Sequence, residues 1–246
     1  ATLDHKNIVK IYDYNISNVY GQSYITMSFV DGESLRDIIE RRFADTLEIN
    51  TRDIAQSLFY LSQLCEALEC THKQGIVHRD IKPDNIMIDV GEVVKITDFG
   101  IVHIEEATFT PTGALIGTPR YMSPEQVRGI RIDGRSDIYS AGIIMYELLV
   151  GSRPFISGDI AYQQVNVEPT PPKDICPAIP EHVNRAIMKC LEKDPGNRYA
   201  NASELKVIAD IVLEEVGGYE PEQAPAAGSG PSARAPLLES ELDITD

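Results

Sequence analysis

The chain is 246 residues long and carries a formal net charge of −16 at pH 7, long enough to bury a core without disulfides or metals. Hydrophobic residues make up 43% and charged residues 24%, which excludes wholesale disorder and fibrous repeats, and the acidic balance argues against nucleic acid or an anionic lipid surface as a partner. No run approaches the roughly 18 apolar residues of a membrane span, so no membrane contact is expected within this chain, with anchoring of a longer parent through a segment beyond the tail left open; four cysteines without a CxxC pair (Cys65, Cys70, Cys176, Cys190) predict reduced, mostly buried thiols and a cytoplasmic setting.

Along the chain, Ala1 opens directly into a patterned stretch, as if inside a domain. The run from Tyr24 to Val30, ended by Asp31-Gly32, predicts a strand. Ile54, Leu58, Leu61, Leu64 and Leu68 recur at helical spacing, after Thr51 and Asp53 as caps and before Gly75. Ile86-Met87-Ile88 and Val93-Val94-Lys95-Ile96 predict a hairpin around Val90-Gly91-Glu92. Ile138 to Val150 is apolar nearly all round and stops at Gly151, the pattern of a helix in the middle of a core. Asn201-Ala-Ser-Glu204 reads as a capping box opening a helix with Leu205, Ile208, Ala209 and Val212 on one face. Residues 217–246 are rich in Gly, Pro, Ala and Ser and hold six acids against Arg234, so they predict a disordered acidic linker. A small sheet followed by many helices gives an α+β class with helix dominant.

The informative segment is His78-Arg79-Asp80-Ile81-Lys82-Pro83-Asp84-Asn85, just before the hairpin, with Asp98-Phe99-Gly100 on its far side. Gly117-Thr118-Pro119-Arg120-Tyr121 and Ser123-Pro124-Glu125 follow, then Ser136-Asp137 opening the apolar helix, then Arg198 after Asp194-Pro195-Gly196-Asn197. In these residues, over roughly positions 3 to 215, the sequence resembles the protein kinase family, its Ser/Thr branch, and most of all bacterial receptor-type Ser/Thr kinases. The resemblance implies a kinase-like fold: residues 1–30 a remnant of the small lobe with its strands and hinge, residues 31–216 the helical lobe, and the linker beyond.

Phosphoryl transfer has a loose transition state, so the protein mainly positions reactants and neutralises phosphate charge. By resemblance, Asp80 is the base for the attacking hydroxyl, Lys82 a cation beside the transferred group, and Asn85 and Asp98 the ligands of Mg²⁺, which prefers oxygen. Thr118 matches the threonine that bonds the catalytic Asp and Lys in Ser/Thr kinases. Met27 corresponds to the residue guarding the nucleotide pocket, with Ser28 to Val30 as the hinge whose backbone bonds adenine, and Met87 beneath the ring of ATP. His78 and Phe99 are read as structural, with Gly100 beside them and Ile11 continuing their stack. Glu125 is expected to pair with Arg198, and Asp137 to support the fold. His5 lies in an HPN-like segment away from catalysis, and His72, His103 and His182 show no partner spacing, which makes exposure the default.

Thr108, Thr110 and Thr112 stand in a stretch that bacterial receptor-type kinases autophosphorylate. The resemblance implies phosphate on Thr110 and Thr112, pairing with Arg79, and self-association for that reaction, besides protein substrates. The family's glycine-rich loop, strand lysine and helix glutamate would precede the HPN-like segment. The chain is therefore expected to be an amino-terminally truncated fragment with little activity alone. The link from Phe155 to Tyr162 is shorter than in the family, which bears on substrate docking. A second expectation stays open: a kinase-like scaffold or binding module without catalysis.

Overall fold

The computed structural model describes residues 3–15, 24–98 and 119–221. Strand β1 (Ile11–Asn15) pairs antiparallel with β2 (Tyr24–Met27). Strand β3 (Gly32–Ser34) leads into α1 (Leu35–Arg42), and α2 (Thr51–His72) follows. Then come β4 (Ile86–Asp89) and β5 (Val94–Ile96), which with β3 form a sheet in the order β3-β4-β5. Helices α3 (Pro124–Val127), α4 (Gly134–Val150), α5 (Ile160–Asn166), α6 (Pro172–Ile175), α7 (Glu181–Cys190) and α8 (Ala202–Glu215) complete the chain.

The core forms where α2 and α4 meet, with α7 and α8 packed against them. Ile54, Leu58, Leu61, Leu64 and Leu68 of α2 are all buried, so the helical periodicity reads the correct face. Helix α4 is buried along nearly its whole length from Ser136 to Val150, as its all-round apolar sequence demands. Gly142 sits in its middle because a Cβ there would lie 2.5 Å from Cβ of Cys190, so only glycine admits this approach to α7. Gly151 ends the helix in the left-handed conformation, at φ 77°. Each Leu or Ile so buried contributes about 1.5–3 kcal/mol.

The boundaries differ from expectation in ways that local hydrogen bonding explains. Strand β2 stops at Met27 rather than Val30, because the amide and hydroxyl of Ser28 turn to the backbone of Lys10. The cap of α2 is Asn50, not Thr51 or Asp53; Asp53 is the third helical residue and closes a reciprocal box onto Asn50. Helix α4 begins four residues earlier than its apolar run, on the cap Asp133. At α8 half of the expected box forms: Asn201 accepts from the Glu204 amide, while the Glu204 carboxylate turns to the amide of Ala200. Ile11 is half-buried, and of the thiols only Cys65 and Cys190 are buried. Beyond α8, Tyr219 packs back against α2 through its contacts with Phe59 and Gln56. Among the described residues no helix is long and apolar enough to cross a membrane.

Candidate active site

The segment joining α2 to β4 is held by one buried carboxylate. Asp137, in the first turn of α4, accepts the amide of Arg79 on Oδ1 at 2.9 Å. Its Oδ2 accepts the amide of His78 at 2.9 Å and lies 2.7 Å from Nε2 of His72. Arg79 sits at φ 72°, a conformation that a non-glycine residue keeps only when its surroundings fix it. Its carbonyl is fixed as well, by Nε2 of Gln126 at 2.7 Å. His72 is thus a half-buried partner of Asp137 rather than an exposed side chain, its side chain 13% accessible.

Held this way, Asp80 presents a carboxylate that remains 46% accessible. Its Oδ2 accepts Nζ of Lys82 at 2.7 Å and Nδ2 of Asn85 at 3.0 Å. Asn85 is buried, and its other amide hydrogen goes to the carbonyl of Asp80 at 2.9 Å, which leaves Oδ1 as the oxygen it offers outward. The hairpin then returns the chain to the same place. The amide of Thr97 donates to the carbonyl of Asn85 at 2.9 Å, and the Thr97 hydroxyl to the same oxygen at 3.2 Å. Asp98 follows at φ 54°, with its carboxylate exposed and accepting the Thr97 hydroxyl at 3.4 Å.

His78 closes the link from inside, fully buried as expected of a structural residue. The amide of Asp80 donates to its Nδ1 at 3.3 Å, so Nε2 carries the proton and donates to the carbonyl of Thr97 at 2.9 Å. One imidazole therefore spans the backbones beside Asp80 and Asp98.

An outward amide oxygen and an exposed carboxylate are hard donors, suited to Mg²⁺, which binds through one or two protein groups and takes its other oxygens from phosphates and water. No group of three or more His, Cys, Asp or Glu side chains able to hold a metal occurs among the described residues.

Behind the site, Glu125 of α3 forms a two-pronged ion pair with Arg198 at 2.7 and 2.8 Å and accepts the Ser136 hydroxyl at 2.6 Å. Burial opposes the charge on Glu125, yet the Arg198 guanidinium and the Ser136 hydroxyl hold its carboxyl below the usual carboxylate range. On the side facing α1, Arg36 donates to Glu147 at 2.9 Å and to the hydroxyl of Tyr121, which itself donates to Glu147. Burial and the Glu147 charge push the Tyr121 phenol up to about 12.

The nucleotide-side residues lie along one strand end and one neighbouring strand. Met27 ends β2 and Met87 lies within β4. The Ser28 amide donates to the Lys10 carbonyl and its hydroxyl accepts the Lys10 amide, so this stretch is tied to the backbone ahead of β1. His103, Phe99, Gly100, Thr108, Thr110, Thr112 and Thr118 lie outside the described residues. Sequence reasoning missed His72, Gln126 and Arg36, which act through contacts 47 to 111 residues away. No local pattern signals such partners.

Known proteins are similar to this chain. The protein kinase domain profile matches residues 1–208. A serine/threonine-protein kinase PknB from Mycobacterium leprae is 38% identical over 232 residues, covering 92% of this chain and 36% of that protein. A probable serine/threonine-protein kinase PknB from Bifidobacterium longum is 42% identical, over 89% of this chain and 32% of its own length. The kinase domain of PknI from Mycobacterium tuberculosis shares the fold, with a TM-score of 0.67 at 22% identity over 85% of this chain and 73% of that one. The chain belongs to the protein kinase family and is similar to its bacterial serine/threonine members. It spans about a third of the length of these curated relatives. Protein kinases use ATP with Mg²⁺ and act on proteins.

Proposed function

We propose that this chain carries the catalytic lobe of a serine/threonine protein kinase, in which Asp80 takes the proton of an acceptor hydroxyl as that oxygen attacks the γ-phosphate of ATP. The observation that carries the reading is the convergence on Asp80: Lys82 and Asn85 both bond its Oδ2, and Thr97, the residue before Asp98, bonds the Asn85 carbonyl. Fixed by Asn85, the Asp80 carboxylate orients the acceptor hydroxyl and accepts its proton. The Lys82 ammonium, 2.7 Å from Asp80, offsets charge building on the transferred oxygens. Asn85 and Asp98 would hold Mg²⁺, which when bound neutralises and orients the phosphate oxygens. The Ser28 carbonyl and Val30 amide would receive the adenine edge, with Met27 and Met87 at its apolar faces, and Thr118 would bond Asp80 and Lys82.

Residues 1–30 we assign to the end of the small lobe, 31–216 to the large lobe, and 217–246 to a linker anchored at Tyr219. Thr110 and Thr112 are the regulatory sites, phosphorylated between associating copies, with Arg79 as the partner of the phosphate. Arg79 is exposed, its backbone is fixed at both ends, and among the described residues its guanidinium has no carboxylate partner. We place this lobe on the cytoplasmic side, where ATP is found, with a membrane anchor of the longer protein left open.

The test is phosphate transfer to serine- and threonine-containing peptides by the full-length protein that carries these residues. Replacing Asp80→Asn is expected to cut kcat by about 10²–10⁴-fold with ATP binding retained. Asp98→Asn is expected to abolish Mg²⁺-dependent transfer. A D80N protein that turns over at the wild-type rate removes the reading.

A further inference from the structure

Residues 119–123 run immediately ahead of α3, and Gln126 of α3 bonds the carbonyl of Arg79, one residue from Asp80. On the kinase reading, this segment borders the approach of an acceptor peptide to Asp80. Its backbone is held carbonyl by carbonyl. The Tyr121 oxygen accepts the Ser140 hydroxyl at 2.8 Å. The Pro119 and Arg120 oxygens both accept Nε2 of Gln164, each at 3.1 Å.

Gln164 is only 1% exposed and is the single buried side chain of α5 among the described residues, so α5 contributes a polar anchor and no apolar one. Its amide cannot flip. Oε1 accepts the hydroxyl of Tyr139 at 2.6 Å, and the reversed amide would set an oxygen against two carbonyls. Tyr139 is itself 1% exposed, and its hydroxyl accepts Nζ of Lys193 at 3.3 Å, an ammonium that also lies 4.8 Å from the ring centre of Phe155. A chain of donors thus runs from Lys193 through Tyr139 and Gln164 to the two carbonyls, every member fixed by packing. A buried amide that bonds two successive carbonyls sets the path of the segment more tightly than apolar packing does, because a small shift breaks two bonds at once.

We propose that Gln164 is a positioning residue for the acceptor peptide: by fixing the backbone of Pro119 and Arg120 it sets peptide affinity and the preference for residues beside the phosphorylated hydroxyl, without touching the reacting atoms. The inference rests on the kinase reading above and deepens it.

The experiment compares full-length wild-type protein with Gln164→Met, which keeps volume and loses all three hydrogen bonds, Gln164→Glu, which sets a carboxylate against the two carbonyls, and Tyr139→Phe, which removes the hydroxyl that holds Oε1. Peptide KM is expected to rise about tenfold in Q164M, more in Q164E and less in Y139F, with kcat and the KM for ATP within twofold of wild type. In a positional peptide library the preference next to the acceptor flattens. If peptide KM and the library profile are unchanged in the folded variants, the inference is wrong while the kinase reading stands. A fall in kcat, with the KM for peptide and ATP moving together and a lowered Tm, marks a packing role and also overturns it. Should Q164M fail to fold, Y139F decides by the same criteria. A wild-type protein that phosphorylates no serine or threonine peptide removes the kinase reading and this inference with it.

Discussion

The carboxylate of Glu92, in the turn between β4 and β5, accepts the hydroxyl of Tyr219 at 2.7 Å across 127 residues of sequence. Glu92 sits at φ 58°, in the left-handed region that non-glycine residues rarely occupy. Three side chains steady it: Tyr219, the Tyr60 hydroxyl at 3.4 Å, and Gln63, whose Nε2 bonds the Glu92 carbonyl at 3.0 Å. The Tyr219 hydroxyl in turn accepts Nε2 of Gln56 at 2.7 Å, while its ring lies 5.3 Å from that of Phe59. The residues after α8 therefore clasp the hairpin that separates Asn85 from Asp98. Removing the hydroxyl in Tyr219→Phe leaves Glu92 and Gln56 each short of a partner. It is expected to cost about 1–2 kcal/mol and to lower Tm by a few degrees. An unaltered melting curve for Y219F would show that the clasp carries no stability.

The Glu125–Arg198 pair predicts an acid-sensitive stability. Glu125 has a folded-state pKa below its ordinary value of 4.5. Its contribution is therefore fully present above that value and is lost as the pH falls through the depressed folded value. With both side chains 4% exposed or less, Arg198→Met leaves a buried carboxylate without its cation, at a cost of about 3–5 kcal/mol near neutral pH. At pH of about 4 and below, the gap between variant and wild type is expected to shrink, since the orphaned carboxyl can take a proton. Urea unfolding at the two pH values measures this. A gap of constant size would mean that the pair does not titrate as its geometry requires.

The cluster around Asp80 was legible in the sequence because its members stand close together along the chain: Asp80, Lys82 and Asn85 fall within six positions, and the hairpin that leads to Asp98 has a clear period of two. Glu125 and Arg198 were legible through resemblance alone. His72 was not, since the last turn of an amphipathic helix says nothing about a carboxylate 65 residues later. Asn50 was missed as a cap because Thr51 and Asp53 are equally good capping types. Only the reciprocal bonds between Asn50 and Asp53 decide among them. Gln164 reads as an ordinary polar position on a short helix, and its role emerges only from the carbonyls that α5 is folded to meet.

Asp137 makes a prediction about geometry rather than stability. Its two oxygens accept two successive backbone amides, those of His78 and Arg79, and also Nε2 of His72. Asn in its place would turn an N–H toward one of these donors. The strained backbone at Arg79 would relax, and Asp80 would shift with it. A displacement of about 1 Å at a catalytic group costs on the order of 100-fold in rate, so Asp137→Asn is expected to lower kcat by that factor. His72→Ala, which removes one of three bonds to Asp137, is expected to lower it less. Steady-state rates on one peptide substrate give both numbers. Asp137→Asn within twofold of wild type would falsify the clamp.

The thiols separate by burial, and their chemistry should follow. Cys65 and Cys190 are at most 2% exposed, while Cys70 and Cys176 are half-buried. Burial pushes the Cys65 thiol up, and that of Cys190 up to about 12. Since reagent must reach the sulfur, a disulfide reagent is expected to label the half-buried Cys70 and Cys176 in the native protein. Cys65 and Cys190 should react only at the rate of global unfolding. The same shifts carry a sign for stability. Folded-state values raised above the ordinary 9.0 mean that this contribution is intact below pH 9. Above it the unfolded chain loses its thiol protons first, so stability falls until the folded values are passed. Replacing Cys190→Ala removes its share of that alkaline slope but opens a small void against Gly142, so the variant should be less stable at pH 7 and differ less from wild type at pH of about 10. Native labelling of Cys65 or Cys190 at the rate of Cys70 would place them nearer the surface than the packing of α2 against α4 and α7 allows.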